Sequence, residues 1–491
     1  MPDNNPTHLD LQATAKQIMQ QYGFQPDFPA EVTAQLGNLP VAAKEQSPSV
    51  SGANVRDLRN LLWSSIDNDT SRDLDQIEVA QRASNGDVKV MIGIADVDAY
   101  VPKQTPIDQH AARETTTVYA AVCNFPMLPE QLSTGVSSLL ENQDRPAIVI
   151  EFIVDAGGNL KSSDVYRALV QNKAQLQYNS VGAWLEGTAA APPKVAGSAD
   201  LQMQLKLQDE IAQKLKNQRF AHGALTLQTD EVHPLVLNNQ VVDVVKQQRN
   251  HATDLIEDFM IAANGVVARM LESVSSLRRI VRTPKRWDRI VELAATKGEK
   301  LPAQPDSKAL NDFLLRRKAA DPDHFADLSL AVIKLIGPGE YVVERAGGTA
   351  PGHFGLAVQD YTHSTAPNRR FADVVTQRLI KAMLAHQTNP YADDELTAIA
   401  TNCTLREDAA RKVEREMSKR LAAIAMQHRI GEVFDAIVTG VTDHGTFVRV
   451  LQPHIEGLLA QGAQGLDVGD KLRAKLIRTD PQKGYIDFSR A

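Results

Sequence analysis

The triplet Asn85-Gly86-Asp87 stands between two apolar runs, Ile77-Glu78-Val79-Ala80 and VKVMIGIADV from Val88. An Asn-Gly pair suits the two-residue turn whose twist matches that of paired strands, so this stretch is committed to an antiparallel hairpin. An earlier apolar run, LLWSSI at 61–66, predicts another strand. Apolar residues at helical spacing then predict long helices at about 200–218, 251–272, 370–387 and 396–428. Residues from about 55 to 390 read as one large mixed domain, and the fold class is α+β.

The two ends differ from this middle. HLDLQATAKQIMQQY at 8–22 has the spacing of a short amphipathic helix, and Leu39 to Val55 is poor in large apolar residues and reads as a linker. In the last sixty residues EVFDAIVTGV, GTFVRV, IEGLLA, KLRAKLIRTD and YIDFSR are separated by Gly, Asp and Pro turns. Five short antiparallel strands at that spacing predict a small barrel of the OB type. The expected division is 1–50 for a helical segment and linker, 51–428 for the mixed domain, and 429–491 for the barrel.

With 491 residues, 43% hydrophobic and 23% charged, the chain can bury a large core without disulfides or structural metals. Cys123 and Cys403 are too few for a disulfide framework or a Cys-rich zinc site. MPDNNPTHLD has neither the basic nor the apolar part of a secretory signal, and no apolar run approaches ~18 residues, so the expectation is a cytoplasmic protein without a membrane span. A formal charge of -7 argues against a nucleic-acid binder with an open basic surface. It does not argue against one that takes a single strand into a channel.

Chemistry concentrates in the turn Ser65-Ile66-Asp67-Asn68-Asp69-Thr70-Ser71-Arg72-Asp73-Leu74-Asp75-Gln76. Its four carboxylates repel one another unless cations neutralise them, and hard oxygen ligands suit magnesium or manganese. A solvated acidic loop is the plain alternative. A calcium loop is another, since Asp67, Asp69, Ser71, Asp73, Asp75 and Glu78 fall at its ligand spacing. That loop requires Gly at its sixth position, where this chain has Arg72, and helices on both sides, where this chain has strands.

The I-D-x5-D-x-D core of this turn resembles the active-site signature of the ribonuclease II (RNB) family of exoribonucleases. The resemblance continues in NFPMLP from Asn124, DLIEDFMIAAN from Asp254, HFGL from His353 and YTHSTAPNRRFAD from Tyr361, and covers about residues 50–420. The tail, with GEVF from Gly431 and VTGVTDHGTFV from Val438, is similar to the RNA-binding OB-fold of the ribosomal S-one type. The resemblance implies a processive, magnesium-dependent hydrolase (manganese as the substitute) that degrades single-stranded RNA from its 3′ end to nucleoside 5′-monophosphates. It implies metal ligands at Asp67, Asp73, Asp75 and Gln76, with Asp75 also the residue closest to cleavage. It places Arg369 at the phosphate, Glu414 near the site, Tyr119 against the terminal base, and Tyr178 and Glu257 near the sugar. Phe434 and Phe447 are the barrel's aromatic candidates for RNA. The bland alternatives are a surface arginine at a helix start for Arg369 and a core tyrosine for Tyr119.

Two departures accompany the resemblance. The family pattern is Asp-Asp where this chain has Asp75-Gln76, so one ligand is an amide or absent. The family's second stacking aromatic falls at Leu227, which makes the base stack one-sided. An RNA-binding regulator that has lost activity through Gln76 is the rival reading. A monomer with no nucleotide cofactor and no membrane partner is expected.

Overall fold

The computed structural model describes residues 10–38, 55–228, 232–237, 240–246 and 249–491; the expected linker lies, up to residue 54, outside them. The chain forms β1 (Val55–Asp57), β2 (Ser64–Asp67), β3 (Gln76–Arg82), β4 (Val88–Ala95), β5 (Val118–Tyr119), β6 (Asn124–Phe125), β7 (Asp144–Val154), β8 (Leu160–Gln171) and β9 (Ala174–Gln177). Seven of these make one sheet in the order β1-β8-β7-β4-β3-β2-β9, while β5 and β6 form a separate small hairpin. The expected Asn-Gly turn joins β3 to β4. Gly86 takes φ +88°, and the Asp87 amide donates to Asn85 Oδ1.

Long helices cover the sheet. Helix His251–Met270 sets Phe259 edge-on against Phe152 of β7, at 6.4 Å between ring centres. Helix Ala199–Ala221 covers the stretch of β3 beyond its pairing with β2, where Gln204 accepts from the Ala80 amide and donates to its carbonyl. Helix Phe371–Leu384 meets the end of β4, with Gln377 bonded to Ala95 and Asp98. The core is continuous across these elements, from Trp63 and Ile66 through Val90, Ile92 and Ile150 to Phe259 and Val375. The four expected long helices run at 199–221, 251–270, 371–384 and 393–426.

Two further pairs, β10 (Val232–Leu237) with β11 (Gln240–Lys246) and β12 (Ser276–Ile280) with β13 (Glu340–Glu344), are antiparallel. Between β12 and β13 lie helices Trp287–Thr296, Ser307–Ala320 and Phe325–Ile336, which share their own apolar cluster. The expected N-terminal helix is Leu11–Gln21, N-capped by Asp10. It packs Ala15, Ile18 and Met19 on Val118, Ala120 and Phe125 of the β5–β6 hairpin, and on Val413 and Met417 of helix Asp393–Met426.

The tail closes into a barrel of β14 (Val433–Thr442), β15 (Gly445–Val450), β16 (Ile455–Gln461), β17 (Lys471–Asp480) and β18 (Tyr485–Arg490). The five strands match the sequence expectation, with one correction. β16 and β18 pair in parallel, because closing the barrel brings together strands that are not neighbours in the chain. Ala423 and Met426 of the preceding helix enter the barrel core, and Arg449 pairs with Asp327 at 2.8 Å, so barrel and main body are joined. No helix among the described residues is long and apolar enough to cross a membrane.

The β12–β13 pair carries a test of the packing. Arg278 is fully buried, donating to the Ala268 carbonyl at 2.6 Å and to Glu344 at 2.9 Å. Removing one partner of a buried ion pair leaves the other uncompensated, so Arg278→Met should lower stability by about 3–5 kcal/mol. Urea unfolding measures this; a loss under about 1 kcal/mol would mean that the pair is not buried as described.

Candidate active site

The acidic turn is built by two strand ends. β2 ends at Asp67, β3 begins at Gln76, and the intervening loop is fastened from behind. Leu74 is fully buried, its amide donates to Ser138 Oγ, and that hydroxyl donates to the Arg72 carbonyl. Asp67 Oδ1 accepts from the Asn68 amide and Ser71 Oγ, both at 2.8 Å. Asp69 is exposed. Asp75 is only 2% exposed; its Oδ1 accepts from the Asn368 amide at 2.8 Å, and Arg369 Nε lies 3.4 Å from its Oδ2.

The segment that supplies Asn368 and Arg369 is equally fixed. Ser364 donates through both its amide and its hydroxyl to Asn264 on helix His251–Met270. Asp373 holds the Ala366 amide and the Arg370 guanidinium, and Asn368 accepts from Ser137 Oγ. The Arg369 carbonyl accepts from the Thr117 amide at 3.0 Å, two residues before Tyr119. The Tyr119 amide donates to Glu414 Oε1, and its hydroxyl donates to Asp73 Oδ2 at 3.3 Å, so the tyrosine spans from the long helix to the acidic turn. Tyr119 is 40% exposed, which removes the core-residue reading.

Electrostatics follow from this enclosure. Burial pushes the Asp75 carboxyl up to about 7, against the opposing pull of Arg369 and the Asn368 amide. Burial also raises Asp67, partly offset by the Ser71 and Asn68 hydrogen bonds. Tyr119 and Tyr178 hydroxyls are held above their ordinary range by burial and by nearby carboxylates, Asp73 for the first and Asp67 for the second. Tyr178 opens helix Tyr178–Leu185, which is seated by the close approach of Gly182 to Asn250, where a side chain would collide.

The structure therefore brings together Asp67, Asp73, Asp75, Arg369, Tyr119, Glu414 and Tyr178. Gln76 lies next to Asp75, 8% exposed at the first position of β3. Glu257 belongs to a different set of contacts, accepting from Arg249 with Arg219 3.9 Å away. Phe434 requires correction: it is 6% exposed in the barrel core, edge-on to Phe488, with no face free for a base. An inward position on β14 accounts for this. Phe447 is half-buried, and Leu227 packs with the cluster around Trp287. Sequence reasoning missed Asn368, whose backbone amide rather than its side chain does the work; Glu78, which the spacing offered only as a calcium-loop position, is an acid inside the strand.

Among the described residues no three His, Cys, Asp or Glu side chains converge on one point. This still fits magnesium, which keeps several waters and binds through one or two carboxylates plus substrate phosphate rather than in an all-protein cage. Asp67 and Asp75, both hard oxygen donors that burial makes costly to charge, are such a pair.

The RNB domain family matches residues 55–386, and the RNase II-type exonuclease C-terminal S1 domain matches 432–491. Ribonuclease R of Thermotoga maritima is 29% identical, covering 94% of this chain and 68% of its own. Ribonuclease R of Escherichia coli is 30% identical, covering 94% and 60%. The chain thus spans about three fifths to two thirds of the length of these relatives. The apo structure of Mycoplasma genitalium RNase R superposes with a TM-score of 0.86 at 22% identity, covering 98% of this chain and 78% of that one. Yeast Ssd1, described as a pseudonuclease, superposes at 0.73 with 16% identity, covering 97% and 59%.

The raised Asp75 carboxyl has a measurable consequence. Its folded value of about 7 exceeds the ordinary 3.8, so the folded chain holds a proton that the unfolded chain releases. The contribution of Asp75 to the stability of the metal-free protein should therefore fall as pH rises from about 4 to 7. Asp75→Asn has no proton to lose, so its stability relative to wild type should grow across that window in chelator. Denaturant unfolding at about pH 4.5 and 7.5 measures it, and a pH-independent difference would contradict the burial argument.

Proposed function

Since this chain belongs to the RNB family, we propose that it is a processive 3′-to-5′ exoribonuclease. It hydrolyses single-stranded RNA to nucleoside 5′-monophosphates with magnesium, or manganese in its place, and works as a cytoplasmic monomer. The observation that carries this reading is the buried Asp75, fixed by the Asn368 amide and facing Arg369 at the mouth of the acidic turn. Asp67 and Asp75 would hold the cation, with Asp73 and Gln76 at its margin. The chemistry a divalent cation supplies there is polarisation of the scissile phosphate and activation of water.

The chain's own groups do the rest. Arg369 offers a guanidinium fork to a phosphate, where it can neutralise charge that grows in the transition state. Tyr119, half out in solvent and held at both ends, offers a ring for the terminal base. Stacking of that kind tolerates any sequence. Glu414 acts as a positioning residue by holding the Tyr119 backbone. The Tyr178 hydroxyl would meet a ribose 2′-OH, the group that distinguishes RNA from DNA. Glu257 would act on the terminal nucleotides together with its arginines, and Phe447 would serve RNA held on the barrel.

Incubating the full chain and magnesium with 5′-labelled single-stranded RNA tests the reading: progressive shortening with release of 5′-monophosphates is expected. Intact, bound RNA would favour the regulator that Gln76 suggests. Asp75→Asn should abolish cleavage while leaving RNA affinity within about twofold, because affinity comes from stacking and phosphate contacts. Turnover near wild type would remove Asp75 from the chemistry. Tyr119→Ala, which loses a stack of ~1–3 kcal/mol, should alter the length of the final fragment with activity retained. An unchanged product ladder would contradict it.

A further inference from the structure

Each inward carboxylate of the acidic turn has a donor that fixes it, and for Asp73 that donor is the Tyr119 hydroxyl. Asp67 accepts from Ser71 Oγ and the Asn68 amide, and Asp75 accepts from the Asn368 amide with Arg369 beside it. Asp73 is half-buried, and among the described residues its side chain accepts only from Tyr119 Oη, at 3.3 Å. Leu74 is turned into the core between Asp73 and Asp75, so the two carboxylates leave the chain on the other side. Arg369 reaches one of them and Tyr119 the other, and both line a single cavity of about 230 Å3 beside helix Asp393–Met426.

The tyrosine is held where this contact can be made. Val118 is fully buried against the N-terminal helix, and strand alternation sends Tyr119 to the opposite face, toward the turn. Its backbone is fixed on both sides: Asn124 pairs with it across the hairpin, its amide donates to Glu414, and the Thr117 amide donates to the Arg369 carbonyl. Burial and the nearby carboxylates keep the hydroxyl protonated, so toward a carboxylate it acts as a donor. A residue kept only to stack on a base has no need of that hydroxyl, since phenylalanine offers a base the same face.

We propose that the Tyr119 hydroxyl is a positioning group for the divalent-cation site, committing Asp73 Oδ2 and leaving Oδ1 to the ion or its waters. An unheld, half-exposed carboxylate must give up its rotamer freedom when the ion arrives, whereas a held one has already done so. Hydrogen-bond partners of ligating carboxylates are accordingly worth about 10- to 100-fold in metal affinity. One side chain then serves two ends of the reaction: the ring takes the terminal base, and the hydroxyl sets a cation ligand. The proposal rests on reading the acidic turn as the cation site.

The test is a Mn2+ titration of the full-length protein without RNA, followed by electron paramagnetic resonance, for wild type, Asp67→Asn, Asp73→Ala, Tyr119→Phe and the double variant Tyr119→Phe/Asp73→Ala. Tyr119→Phe should weaken Mn2+ binding about tenfold in the wild-type background and leave it unchanged in the Asp73→Ala background, the mark of a hydroxyl that acts through Asp73. At saturating Mn2+, Tyr119→Phe should yield the same final RNA fragment as wild type, because the ring is still there. If Asp67→Asn weakens Mn2+ binding and Tyr119→Phe does not, the proposal is overturned while the cation site stands. If Asp67→Asn has no effect, the reading of the turn itself fails and the proposal with it. An equal loss in both backgrounds also overturns it, since the hydroxyl then acts elsewhere. If Tyr119→Phe changes the final fragment, the ring has shifted and the double variant decides: a loss confined to the background with Asp73 supports the proposal, and a loss independent of Asp73 overturns it.

Discussion

The arrangement depends on a carboxylate taken out of water. Asp75 sits just before the start of β3, enclosed except toward Arg369, and only the Asn368 amide and that guanidinium compensate it. An isolated buried carboxylate would neutralise itself by taking a proton, which is the direction in which burial pushes Asp75. A site that needs the charged form must therefore bring positive charge from elsewhere. Arg369 supplies part of it, and a divalent cation with substrate phosphate supplies the rest.

Much of the surrounding structure can be understood as what it takes to present Arg369 and Asn368 to that carboxylate. Their segment runs between the sheet and helix Phe371–Leu384, tied by Asn264 on one side and Asp373 on the other. The same segment holds the loop before Tyr119 through the Arg369 carbonyl. The N-terminal helix then presses on the hairpin that carries Tyr119 and on the helix that carries Glu414. What looked in the sequence like a short prelude is a support for the far wall of the site. Tyr22 reinforces it by donating to Glu416 at 2.5 Å.

The sequence was most legible where local chemistry decides structure. Asn85-Gly86 can hardly be anything but a hairpin turn, and the five barrel strands follow from alternation broken by Gly and Pro. The acidic turn was conspicuous because four carboxylates in nine residues are difficult to explain without cations. Legibility failed where partners are distant in the chain. The helices at 287–296, 307–320 and 325–336 are recognisable as a unit only through their shared cluster. The parallel β16–β18 pair arises from closure, and the fate of Phe434 turns on which face of β14 is inward. Asn368 contributes a backbone amide, which no residue type reveals, and the burial of Glu78, which the spacing offered only as a calcium-loop position, depends on a helix distant in the chain.

The central claim is that the enclosed Asp75 and Asp67 form the protein's share of a divalent-cation site opposite Arg369. Anomalous diffraction from crystals soaked in Mn2+ locates such an ion directly. The account predicts a peak within coordination distance of Asp67 or Asp75, on the side facing Arg369. A protein that cleaves RNA in Mn2+ yet shows its peak only at exposed carboxylates such as Asp69, away from both residues, would contradict it.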